Sequence, residues 1–139
     1  MFQMRYVCKD DKRFWDSLDE HLSESEFERK IRDKRGYIIS DNGIPVGIMR
    51  YNLFCDNTPF VTLIYLKECH RGKGFGKRAM LQWEKEMREQ GFKMTMTSTQ
   101  VDEEAQHFYR KIGYIDKGGL FLDNTPFEQP QEMFMIKII

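Results

Sequence analysis

The stretch Arg71-Gly72-Lys73-Gly74-Phe75-Gly76-Lys77 constrains this chain more than any other. Ahead of it runs a largely apolar segment, Phe60-Val61-Thr62-Leu63-Ile64-Tyr65-Leu66, which reads as a buried strand. Behind it, Met80, Trp83 and Met87 fall on one face of a helix. The order is strand, glycine loop, helix. Glycines allow a tight backbone path that turns successive N–H groups toward one point. A helix start adds unpaired donors and a positive dipole end. Helix starts ordinarily favour Asp and Glu. This one carries Arg71, Lys73, Lys77 and Arg78 with no acid among them. That crowding of cations is unfavourable unless an anion binds, so the loop predicts a phosphate-bearing ligand. The plainer alternative is a solvated glycine turn beside a basic patch.

Spacing separates the phosphate loops. A nucleotide-triphosphate loop needs four residues between its glycines, then Lys and Ser or Thr. Here three residues separate Gly72 from Gly76, and Arg78 follows Lys77. A dinucleotide loop, G-x-G-x-x-G, places its third glycine where Lys77 stands. The pattern that fits is R-x-x-G-x-G, from Arg71, Gly74 and Gly76. In this the chain resembles the GNAT superfamily of N-acetyltransferases, whose pyrophosphate loop reads [R/Q]-x-x-G-x-[G/A]. A second stretch, Ala105-Gln106-His107-Phe108-Tyr109-Arg110-Lys111-Ile112-Gly113-Tyr114, is similar to the superfamily signature A-x-x-F-Y-x-K-x-G-[F/Y]. The two motifs lie in the family's order. The resemblance covers residues 44 to 139 well, and the N-terminal third by general layout.

The resemblance implies an α/β fold of mixed type. A twisted, largely antiparallel sheet of about six to seven strands is flanked by about four helices, with residues 1–139 as a single domain. It implies direct transfer of an acetyl group from acetyl-CoA to a primary amine of a small molecule or peptide. On that reading the backbone of Arg71, Gly72, Lys73, Gly74, Phe75, Gly76 and Lys77 holds the pyrophosphate. The backbone near Ile64 and Leu66 pairs with the pantetheine arm, and Tyr109 protonates the departing thiolate. A phenol, with its reference pKa near 10, keeps its proton at neutral pH. On a helical wheel Tyr109 sits about 100° from Phe108, beside an apolar stripe of Ala105, Phe108 and Ile112. The residue-level alternative is a tyrosine that only packs at the core boundary. The alternative function is a CoA- or nucleotide-binding module without transferase activity.

Elsewhere the pattern is that of one mixed-sheet domain. Met4–Cys8 reads as a strand, Asp11–Leu22 and Ser23–Lys34 as helices, with Ser23 and Glu26 forming a capping box. Tyr37–Ser40 and Ile44–Phe54 are strands joined by the turn signal Asp41-Asn42-Gly43. Around Phe92–Thr97, apolar residues alternate with Lys93, Thr95 and Thr97, giving a strand with one polar face. Asp102-Glu103-Glu104 opens the next helix, with Asp102 suited to its N-cap. Tyr114–Leu122 and Met133–Ile139 are the last strands.

Charge and composition remove several classes. Lys plus Arg equals Asp plus Glu, 22 against 22, which gives no global attraction to nucleic acid. No apolar run reaches membrane-spanning length, and the first residues lack a signal-peptide core, so a cytoplasmic location with no membrane partner is expected. Cys8, Cys55 and Cys69 form neither a disulfide framework nor a metal pattern, and no metal is expected. Cys69 and His70 are adjacent; on an extended segment they point apart, which argues for incidental or buried thiols. His70 and His107 read as surface residues, and His21 as the end of the first helix. The residue that would deprotonate the amine is unassigned, with Glu68 and Asp56 candidates by neighbourhood alone. Superfamily members often carry Asn at the position of Asp102. From Asp16 to Glu28 the acids Asp16, Asp19, Glu20, Glu24, Glu26 and Glu28 are uninterrupted by Lys or Arg, a field suited to a cationic amine or simply to solvation. A homodimer is left open.

Overall fold

Asn42 and Gly43 both take positive φ, 51° and 81°, the geometry of a tight hairpin turn. They join β2 (Gly36–Asp41) to β3 (Ile44–Phe54), as the Asn-Gly signal predicts. The structure, a computed structural model, describes residues 1–139. Its other elements are β1 (Phe2–Tyr6), α1 (Lys12–Leu18), α2 (Glu24–Arg32), β4 (Thr58–Leu66), α3 (Phe75–Glu89), β5 (Met94–Gln100), α4 (Ala105–Lys111), β6 (Ile115–Leu120) and β7 (Glu132–Ile138). The strands form one seven-stranded sheet in the order β1-β2-β3-β4-β5-β7-β6. The β1–β2, β2–β3, β5–β7 and β6–β7 pairs are antiparallel, and β4–β5 is parallel. The mixed, mainly antiparallel sheet with four helices is the architecture expected from the sequence. No helix is long and apolar enough to cross a membrane.

The chain divides into two compact units. The first contains Met1–Asn52 and Thr62–Trp83. Its core joins Val7, Trp15, Phe27, Ile38 and Ile48, with Phe14, Leu18, Leu22, Ile31 and Leu63 packed around them. The aromatic spacing of α1 and α2 supplies this face. Ser23 caps α2 by accepting from the Glu26 N–H at 3.2 Å, which is one half of the expected capping box; the Glu26 carboxylate pairs with Arg29. Helix α1 is shorter than expected, ending at Leu18, so His21 lies beyond it. Gly47 is required in β3: a Cβ there would lie 2.5 Å from Leu66 Cδ2 and 2.8 Å from the Tyr65 carbonyl oxygen.

Asp11 is a structural acid in this unit. It accepts a bidentate pair of bonds from Arg5, at 2.7 and 2.8 Å, and a third from the Cys8 N–H at 2.9 Å. The Arg5 bond, with help from Cys8 and against the effect of burial, lowers its pKa from 3.8 to about 2. The unfolded chain therefore takes up this proton first as pH falls, so stability declines between roughly pH 4 and pH 2. Arg5 is half exposed, which limits the contribution to about 1 kcal/mol. Melting curves of the Asp11→Asn variant should lose that part of the acid dependence, with a lower Tm at neutral pH.

The second unit contains Leu53–Val61 and Glu84–Ile139. Strand β7 is central to it, paired with β5 from Met94↔Ile138 to Gln100↔Glu132 and with β6 on its other side. The polar face of β5 turns inward: Thr95, Thr97 and Thr99 are all buried. Their hydroxyls are satisfied there. Thr95 bonds Tyr114 at 2.9 Å, and Thr97 donates to the Val61 carbonyl at 3.2 Å. Helix α4 begins only at Ala105, with Glu104 and not Asp102 at its cap position and no side-chain cap. The Glu103 carboxylate instead accepts from the Gln100 N–H at 3.2 Å.

Candidate functional site

The candidate residues fall into two groups, one in each unit. The first is the loop after β4. Strand β4 is anchored at its end by Lys67 N–H, which donates to the Val46 carbonyl at 2.8 Å. A short 3-10 turn over Glu68–His70 follows. Gly72 and Gly74 then adopt φ of 73° and 87°, values that an L side chain rarely tolerates. A Cβ at either glycine would meet nothing within 4 Å, so both face open space. The first bond of α3 is donated by Arg78 N–H to the Gly74 carbonyl at 3.0 Å. The N–H groups of Phe75, Gly76 and Lys77 thus lie ahead of the helical ladder. Lys73, Lys77 and Arg78 are exposed beside them. Phe75 anchors the helix start against Phe2 and His70, with ring centroids 6.0 and 5.8 Å away.

Arg71 is the exception among the loop cations. Its Nε donates to the Leu66 carbonyl at 3.0 Å, and the guanidinium lies 5.0 Å from the Tyr65 ring centroid. The side chain braces the end of β4. Ile64 and Leu66 are half-buried on β4. The parallel ladder of β4 and β5 has just two registered pairs, Phe60↔Met96 and Val61↔Thr97. It ends before either residue is reached.

Tyr109 belongs to the second unit. It is buried, at 6 % exposure, together with Ile112, while Phe108 and Ala105 are only partly covered. The inward face of α4 is therefore Tyr109 and Ile112, one step round from the expected stripe. Its ring meets Phe108 and Tyr114 edge-on at 5.3 and 5.8 Å. Burial raises the pKa of the phenol; a hydrogen bond with Thr97 acts against that, and Glu103 adds to it. A phenol so placed holds its proton through the neutral range and can give it to a stronger base.

The other candidates separate clearly. His107 is exposed and lies 3.7 Å from Glu104. His21, Glu68, Asp56 and Asp102 are exposed as well. The acidic run is partly neutralised by the cations that flank it: Asp16 pairs with Lys12, and Glu26 with Arg29. Asp19 is buried, accepting from Arg50 Nε at 2.8 Å and Trp15 Nε1 at 3.2 Å. Burial, the largest single effect, favours its neutral form, yet the bond and charge of Arg50 with the bonds from His21 and Trp15 together hold the carboxyl below its ordinary range. That leaves Glu20, Glu24 and Glu28 as the exposed remainder. All three cysteines are exposed, not buried. Cys69 and His70 do not point apart, because the segment is a 3-10 turn and not a strand.

Known proteins share the family pattern and the fold. The model of the Acetyltransferase (GNAT) family matches residues 4–114. A curated relative, the uncharacterized N-acetyltransferase YbbJ of Bacillus subtilis, is 29% identical over 131 residues, covering 81% of this chain and 76% of the relative. A ribosomal-protein-alanine N-acetyltransferase from Brucella melitensis shares the fold at a TM-score of 0.81 and 18% identity, over 99% of each chain. A GNAT family acetyltransferase from Elizabethkingia anophelis, solved with acetyl-CoA bound, gives a TM-score of 0.79 at 13% identity, covering 99% of this chain and 98% of that one.

Proposed function

The chain belongs to the GNAT family of acetyltransferases, and we propose that it transfers the acetyl group of acetyl-CoA directly to a primary amine of a small molecule or peptide. The observation that carries this reading is the loop start of α3: two open glycines at positive φ, three N–H groups ahead of the helical ladder, and exposed cations beside them. These features fit the pyrophosphate of the donor. Backbone donors there would hold phosphate oxygens, and Lys73, Lys77 and Arg78 would offset their charge. The donor supplies a thioester whose acyl carbon an amine can attack. The backbone of Ile64 and Leu66, past the end of the parallel ladder, would offer N–H and C=O groups to the pantetheine arm. Tyr109 would give its proton to the departing sulfur. No residue is assigned as the base for the amine, and solvent is sufficient for an amine that is already neutral. We place the activity in the cytoplasm, on the 139 residues acting as one acetyltransferase domain, with a cationic acceptor steered by Glu20, Glu24 and Glu28.

Thiol release from acetyl-CoA across a panel of primary amines tests the proposal. Release that depends on one class of amine supports it. Binding of acetyl-CoA with no release on any amine would make the chain a CoA-binding module. The loop is tested separately with Gly74→Val, since Gly74 has φ of 87°. That variant should weaken acetyl-CoA binding by about tenfold, or about 1.4 kcal/mol, while the melting temperature changes little. Unchanged affinity by calorimetry would remove the loop from the donor site.

A further inference from the structure

The 3-10 turn over Glu68–His70 does more than lead into the loop. It is closed by His70 N–H bonding the Lys67 carbonyl at 2.9 Å and Arg71 N–H bonding the Glu68 carbonyl at 3.2 Å. This winding brings Cys69 Sγ to 3.1 Å from His70 Nδ1. The other ring nitrogen, Nε2, lies 3.6 Å from Asp41 Oδ2 at the end of β2. Phe75 supports the ring from one side, edge-on at 5.8 Å. Asp41 is itself anchored by the Met1 ammonium at 2.8 Å. That contact foremost, with smaller effects of His70 and Lys73, keeps its carboxyl below the ordinary range. The sequence is therefore thiol, imidazole, carboxylate. A carboxylate at Nε2 favours the tautomer protonated there, which leaves the Nδ1 lone pair facing the thiol. The acetyl transfer proposed above assigns no task to these three side chains.

We propose that Cys69, His70 and Asp41 form a thiol-exchange site that accepts a small anionic disulfide. His70 Nδ1 takes the proton of Cys69. The thiolate attacks one sulfur of the disulfide, a new Cys69 S–S bond forms, and the original S–S bond breaks. The departing thiolate recovers the proton from the imidazolium. Cys69 is oxidised to the mixed disulfide, the incoming disulfide is reduced to one thiol, and no further reactant is consumed. Asp41 positions the ring. The preference for an anion follows from Lys67, Arg71 and Lys73, which flank Cys69 in the chain, against Glu68 and Asp41.

The protein carries its own reference. Cys8, Cys55 and Cys69 are all exposed, so exposure alone predicts similar rates. Cys55 sits in the β3–β4 turn and is the cleaner comparison, because Cys8 interacts with Arg5 and Asp11. Variants keeping one cysteine each, the others replaced by Ser, are mixed with 5,5′-dithiobis(2-nitrobenzoate) at neutral pH without acetyl-CoA. Cys69 should react on the order of tenfold faster than Cys55, less than a positioned base achieves in an enclosed site. His70→Ala in the Cys69-only chain should bring its rate down to that of Cys55, and His70→Gln should do the same. Free imidazole should restore part of the loss in His70→Ala, which a merely structural disturbance would not allow. Equal rates for Cys69 and Cys55, a fast Cys69 that survives loss of His70, or no recovery with imidazole would each overturn the proposal. The measurement is independent of whether the chain transfers acetyl groups.

Discussion

Tyr109→Phe should lower kcat for acetyl transfer about 10²- to 10⁴-fold, the range for losing a general acid. KM for acetyl-CoA should stay near its starting value, because the proton is given up only as the carbon–sulfur bond breaks. The variant is mild structurally. Phe keeps the ring that packs edge-on against Phe108 and Tyr114. Thr97 still donates to the Val61 carbonyl. The hydroxyl itself suits the role, since burial holds it protonated more firmly than in water. The decisive measurement is single-turnover acetyl transfer, which reports chemistry even when product release limits kcat. A near-normal single-turnover rate in Tyr109→Phe would return Tyr109 to packing alone.

The burial of Tyr109 also marks where sequence reasoning stops. The helical wheel puts Ala105, Phe108 and Ile112 on the apolar stripe and Tyr109 beside it. The helix instead turns Tyr109 and Ile112 inward, and the inward hydroxyl has Thr97 to meet it. That pairing depends on β5 presenting its threonines to the interior, which alternation alone does not reveal. Local signals with a single physical solution were legible: the Asn42-Gly43 turn, the Ser23 cap, and the glycine spacing of the loop. Signals with two solutions were not. Asp102, Glu103 and Glu104 look like helix-start acids, but Glu103 is used by the Gln100 N–H. Cys69-His70 reads as extended chain, but the turn after Lys67 folds the thiol onto the ring. Arg71 fits the loop motif by spacing, yet its guanidinium serves Leu66 and Tyr65.

Glu84→Ala should destabilise the protein by about 3–5 kcal/mol, the cost of breaking a buried charge pair from one side. Glu84 is 1 % exposed. One carboxylate oxygen accepts from Lys137 Nζ at 2.7 Å, and the other from the Tyr114 hydroxyl at 3.0 Å. Tyr114 in turn meets Thr95 at 2.9 Å. Burial foremost, with the nearby carboxylate adding to it, pushes the Tyr114 pKa far upward, so this phenol is a donor at every ordinary pH. Truncation removes the shared acceptor, leaves the Lys137 ammonium without its carboxylate, and opens a cavity. The sequence does hold a trace of this. Met80, Glu84 and Met87 stand at i, i+4 and i+7, so an acid lies on the apolar face of α3, and such an acid needs a buried partner. Urea unfolding separates the pair from its packing. If the penalty comes from unpaired groups, Glu84→Met combined with Lys137→Met should recover most of the loss, because apolar replacement of a whole buried pair is often neutral or better. Glu84→Gln should fall between, keeping the acceptor for Tyr114 but not the charge for Lys137. A Glu84→Ala midpoint within error of the parent protein would mean that the network orders these side chains without stabilising the fold.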